Sequence, residues 1–119
     1  MLYKEHAITL DIKRPTKVAL QGIVAGETGN RITVTLKNGD EFIPLTGLRV
    51  CLRVRSDIGE RMQNEENGIS VENDKAVILL SPNSFAEGMN RARLMVYSSD
   101  ENSTDEILIY SAEFQFDAA

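Results

Sequence analysis

Arg31-Ile32-Thr33-Val34-Thr35-Leu36-Lys37 alternates polar and apolar residues without a break, and both sets include β-branched side chains. A period of two is the mark of a strand with one buried face, because successive side chains point to opposite sides of a sheet. The same pattern runs through Leu48-Arg49-Val50-Cys51-Leu52-Arg53-Val54-Arg55 and through Arg91-Ala92-Arg93-Leu94-Met95-Val96-Tyr97. Near the C-terminus, Leu108, Tyr110, Ala112, Phe114 and Phe116 share one parity, while Glu113, Gln115 and Asp117 share the other. The reading is an antiparallel sheet protein. Its predicted core is Ile32, Val34, Leu36, Val50, Leu52, Val54, Leu94, Val96, Tyr110 and Phe114.

Working outward, further strands are predicted over residues 6–12, 17–24, 69–72 and 75–80. Turn chemistry separates them. Asn38-Gly39-Asp40, Asn67-Gly68, Glu72-Asn73-Asp74 and residues 26–30 all carry residues that tolerate positive φ. Pro15 ends the first strand, and Pro44 confines residues 42–45 to an edge or a short connection, since proline donates nothing to a ladder. One short helical turn is expected over residues 81–88, with Ser81 as N-cap, Pro82 in the first helical position and Gly88 at the exit. Some seven to nine short strands at this spacing predict an all-β, immunoglobulin-like antiparallel β-sandwich. A length of 119 residues supports one domain over 1–119, without a linker or internal repeat.

Composition excludes several functions. The longest apolar run, Ala76 to Leu80, is far short of the roughly 20 residues of a membrane helix. A single cysteine, Cys51, excludes an internal disulfide and a cysteine-cluster metal site. The net charge of −5 is uneven: residues 1–59 stand at +3 and residues 60–119 at −8. An acidic domain is a poor polyanion binder, so neither nucleic acid nor membrane is an expected partner.

No catalytic constellation emerges. His6 is the only histidine and has no signature serine around it. Cys51 stands between Arg49 and Arg53, but His6 is its only possible base. The acidic pairs Asp100-Glu101 and Asp105-Glu106 lack the ligand spacing of a calcium loop, and no glycine pattern forms a phosphate loop. The expectation is a non-enzyme with no cofactor, no metal and no small-molecule substrate.

One surface feature stands out. Arg49, Arg53 and Arg55 share one strand face, and Arg91 and Arg93 share the corresponding face of a later strand. In a sandwich these strands are expected to be neighbours, which makes the five arginines a candidate interaction face. Its partner is an acidic surface, such as the stretch around Asp100, Glu101, Asp105 and Glu106 of another copy; the plainer alternative is cross-strand pairing with Glu113.

The stretch from Ile32 to Val54 is strand, Asn38-Gly39 turn, the phrase Pro44-Leu45-Thr46-Gly47-Leu48, and strand. It resembles the N-terminal domain of phage baseplate upper proteins. The order of Asn67-Gly68-Ile69, residues 81–88, Arg91 to Tyr97 and Tyr110 to Phe116 extends the resemblance from about Ile8 to Phe116. Thr46 and Gly47 serve as a structural turn between sheets, glycine accepting a dihedral that a Cβ blocks. The resemblance implies a structural adaptor of a tailed-phage or prophage virion that anchors receptor-binding components at the baseplate. It also implies other baseplate or tail proteins as partners and a homo-oligomer in the particle. A carbohydrate- or protein-binding sandwich module is the alternative, weakened because Tyr3 and Tyr97 are the only aromatics expected to face outward.

Overall fold

Alternation buries one side of each long strand, and two such sides facing each other account for the architecture of the computed structural model. It describes residues 2–14, 20–99 and 106–119. The strands are β1 (Lys4–Asp11), β2 (Asn30–Asn38), β3 (Glu41–Phe42), β4 (Arg49–Ser56), β5 (Gly59–Gln63), β6 (Ile69–Glu72), β7 (Lys75–Leu79), β8 (Gly88–Ser99) and β9 (Glu106–Ala118). They form two sheets. The first has the order β1-β2-β7-β6, with β3 folded back on the end of β2; the second has the order β5-β4-β8-β9.

The core lies between the sheets. Ile32, Val34 and Leu36 of the first sheet and Val50, Leu52, Val54, Leu94, Val96 and Phe114 of the second are all buried, with Tyr110 packed at their margin. The residues predicted for the core are therefore found there. Phe116 stacks beside Phe114 and receives Phe85 edge-on, at ring separations of 6.3 and 5.9 Å.

Four expectations need correction. The first sheet is not purely antiparallel: β1 runs parallel to β2, Ile8 opposite Val34 and Leu10 opposite Leu36. Between them Ile23 and Ala25 reach the end of β9 in the second sheet, so the two strands are not joined as a hairpin. No strand covers residues 20–24; instead the Ala119 N–H donates to the Ile23 carbonyl and the Ala25 N–H to the Ala119 carbonyl, both at 2.9 Å. Residues 17–19 of that predicted strand, together with Pro15, lie outside the described residues.

Residues 81–88 hold no helix. A single turn, closed by the Ser84 N–H on the Ser81 carbonyl at 3.0 Å, gives way to a loop that drives Phe85 into the core. Buried Asn90 satisfies that loop: its Oδ1 accepts from the Ala86 N–H at 3.0 Å, and its Nδ2 donates to the Ala86 and Gly88 carbonyls. These side-chain bonds take the place of a helical ladder. Last, a register shift between Val96 and Tyr97 leaves Ile109 as an extra residue on β9. The bulge turns Leu108 out to face alongside Tyr97, half exposed rather than in the core.

A strand unmarked by alternation, β5, completes the edge of the second sheet. Its final residue, Gln63, is buried and joins the two sheets. Nε2 donates to the Asn67 and Leu79 carbonyls, both at 2.9 Å, and Oε1 accepts from the Ser81 N–H at 3.0 Å.

The passage from β3 to β4 is the turn at Thr46 and Gly47. The Leu48 N–H donates to the Leu45 carbonyl at 3.0 Å, and Gly47 has φ of +84°, where an L side chain is strained. Thr46 is tied to the β6–β7 turn, its N–H donating to Asp74 Oδ1 at 3.2 Å and its hydroxyl to the same oxygen.

Candidate functional site

The outward side of the second sheet gathers four of the five arginines. In the β4–β8 register Arg53 stands directly opposite Arg93, and Arg55 opposite Arg91. Arg49 does not join them: it faces Tyr97, separated from the others by the Cys51–Met95 pair. Between the two groups the face is apolar, with Met95 buried and Cys51 and Tyr97 half-buried. The sequence pattern placed the arginines outward, but only pairing in register makes the four a compact grid.

Each flanking strand supplies one carboxylate. Glu60 of β5 lies opposite Arg55, its two oxygens 3.5 Å from Arg53 Nε and 3.3 Å from Arg55 Nε. Glu113 of β9 lies opposite Arg93 and accepts from Nε at 3.0 Å and from Nη2. Among the described residues these two carboxylates pair with three of the four guanidiniums, and the four arginines border a depression of about 130 Å³ together with Glu113 and Gln115.

The Arg93 hydrogen bond holds the Glu113 carboxyl below its ordinary value of 4.5, against a smaller opposing effect of burial, with the charges of Arg93, Arg53 and Arg91 adding to the depression. A depressed folded-state pKa contributes stability that is present above pH 4.5 and is lost as the pH falls through the lower folded value. Carbon-detected NMR titration is expected to find Glu113 titrating below an unpaired exposed glutamate. In Arg93→Gln it moves up toward the ordinary range. A Glu113 midpoint unchanged by the substitution would remove the pair as its cause.

The other singled-out residues are dispersed. His6 Nε2 lies 3.2 Å from Oδ1 of buried Asn30, on β1 in the first sheet, remote in the fold from Cys51 on β4. Among the described residues no three His, Cys, Asp or Glu side chains converge as for a metal ion. The acidic residues Asp100, Glu101 and Asp105 lie outside the described residues, as does the Glu106 side chain. Of the two aromatics expected to face outward, Tyr97 does so opposite Arg49, half-buried, and Tyr3 is half-buried beneath Arg31, whose guanidinium carbon is 4.8 Å from the ring centroid. They are joined by Phe42, 72% exposed on the short β3.

An open groove of about 620 Å³ lies elsewhere, between residues 20–24 and the ends of β8 and β9. Its lining is mainly apolar, including Val24 and Met89, and it gathers no set of reactive groups.

No family model matches the sequence, and no curated protein matches it. Comparison of folds gives a different result. The chain is similar to the N-terminal domain of phage TP901-1 ORF48, with a TM-score of 0.72 over 96% of this chain and 97% of that one, at 16% sequence identity. At that identity the likeness is one of fold. The two-sheet arrangement is thus, nearly end to end, the fold of a phage protein's N-terminal domain.

Proposed function

We propose that this domain is a structural component of a tailed-phage or prophage baseplate. It acts there as an adaptor that anchors peripheral receptor-binding components, and so serves host adhesion, through protein–protein contacts. The observation that carries this reading is the whole-length fold likeness to the phage ORF48 domain. The independent resemblance of the Pro44-Leu45-Thr46-Gly47-Leu48 phrase and its flanking strands to phage baseplate upper proteins points the same way. A rigid sandwich with charged strands and loops at its surface suits such a role, because a scaffold positions loops and edges for neighbours. The mechanism is complementarity between surfaces; it requires no reaction, cofactor or small-molecule substrate. Assembly in several copies, with other tail proteins as partners, belongs to the same proposal.

Gold-labelled antibodies raised against the folded domain test it on virions of the phage or induced prophage that encodes the chain. Label is expected at the distal end of the tail. Virions labelled on the capsid or tail tube, or purified virions free of the chain by mass spectrometry, would overturn the reading.

A further inference from the structure

We infer that the Arg53, Arg55, Arg91 and Arg93 grid is a docking surface for an extended acidic segment of a partner protein, with carboxylates at alternate residues. The inference rests on the assembly role proposed above, and names the chemistry of the partner. Two like-charged pairs placed directly across neighbouring strands work against a sheet in isolation. The domain relieves only part of that repulsion. Glu60 is divided between Arg53 and Arg55, and Glu113 serves Arg93. Among the described residues no carboxylate lies within ion-pair distance of Arg91, and the Arg55 side chain is 63% exposed.

The spacing selects the ligand's shape. Residues two apart on a strand repeat every ~6.5–7 Å, and neighbouring strands lie about 5 Å apart. An extended segment reading Glu-x-Glu along β8 carries its carboxylates at the same repeat, one over each row of guanidiniums. Each guanidinium presents two parallel N–H groups to a carboxylate, which favours this partner over a point-charge match. A continuous polyanion fits less well. Its backbone charge runs on past the grid, and along β9 it meets Glu113 and Asp117 on a chain of net charge −5.

The test uses the folded chain and a fluorescent peptide of alternating glutamate and threonine, with a glutamine–threonine peptide as control. Anisotropy at low salt is expected to show binding of the glutamate peptide alone, weakening by about tenfold between roughly 20 and 200 mM salt as screening shortens. Arg91→Glu, melting at the wild-type temperature, is expected to weaken it by at least about tenfold, because a repelling charge replaces the unpaired cation. Glu113→Gln tightens it by releasing Arg93. Equal binding of the two peptides, indifference to Arg91→Glu, or tighter binding of inorganic polyphosphate than of the glutamate peptide would each overturn the docking surface. Those failures alone leave the baseplate reading standing, since virion labelling does not depend on them; unlabelled virions with intact peptide binding would overturn that reading instead.

Discussion

Leu52→Asp is expected to leave no cooperative unfolding transition at 25 °C and a circular dichroism spectrum without its strand signature. Leu52 is fully buried at the centre of β4, paired with Leu94 on one side and Gln63 on the other. Its side chain faces the residues of the first sheet, so the substitution removes about 2 kcal/mol of apolar burial from the core. It also sets a carboxylate among aliphatic groups with no cation within the core. Neutralising or accommodating an unpaired charge there costs several kcal/mol more, against a total stability of about 5–15 kcal/mol for a domain of this kind. Leu52→Ala, which leaves a cavity without a charge, is expected to cost about 2–5 kcal/mol and to retain a measurable transition. The ratio between the two variants separates charge burial from lost packing. A Leu52→Asp protein with the wild-type melting temperature would mean that the sheets do not close on this face.

Gly68→Ala is expected to destabilise the domain by about 2–4 kcal/mol, a large effect for one methyl group on a surface turn. Gly68 has φ of +112°, and an added Cβ would stand 2.9 Å from both Gln63 Nε2 and the Leu79 carbonyl oxygen. Those two atoms are themselves hydrogen-bonded to one another. The methyl group therefore meets the joint that connects β5 to the end of β7, and the backbone or the joint must shift. Gln63→Leu attacks the same joint from the other side. It strands the Asn67 and Leu79 carbonyls and the Ser81 N–H, and a cost of about 2–4 kcal/mol is expected from such unmet buried groups. Combined, the two substitutions should cost less than their sum, because the amide that the added methyl group would strike is no longer there. Urea unfolding of the single and double variants measures this. Additive costs, or a Gly68→Ala effect below about 0.5 kcal/mol, would show that the joint does not bear on stability.

The contrast between β4 and β5 explains how much of the fold was legible beforehand. Strands with one buried face reveal themselves by parity, so β2, β4, β8 and the inner residues of β9 follow from the residue order alone. In β5 all residues but Gln63 are exposed, and nothing in Gly59-Glu60-Arg61-Met62 alternates. Pairing direction is equally silent, because a strand parallel to β2 buries the same Ile8 and Leu10 as an antiparallel one would. The bulge at Ile109 hid in the same way, as parity counts residues and cannot see one left unpaired. For the candidate site, the outward direction of the arginines was readable from alternation. Their grouping was not: a register shifted by two residues would have set Arg53 against Arg91, and only the observed one pairs it with Arg93. The amides of Gln63 and Asn90 carried no signal, since a buried polar residue becomes intelligible only when the carbonyls and N–H groups around it are in place.

Where Ile23 and Ala25 hydrogen-bond Ala119, the first quarter of these residues meets the last of them. A ribosome releases those partners most of a domain's length apart. The pairs β4–β5, β6–β7 and β8–β9 join strands that follow one another in the chain and can form as soon as both arms emerge, whereas this clasp demands the closure of one long loop. Such distant pairing places a domain among the slower folders, in the range of roughly milliseconds to seconds. During synthesis, then, the aromatic end of β9 and the early segment beside it wait unmatched, and Ala119 acts as the latch on a fold whose β2–β7 and β4–β8 pairs must also close across many residues.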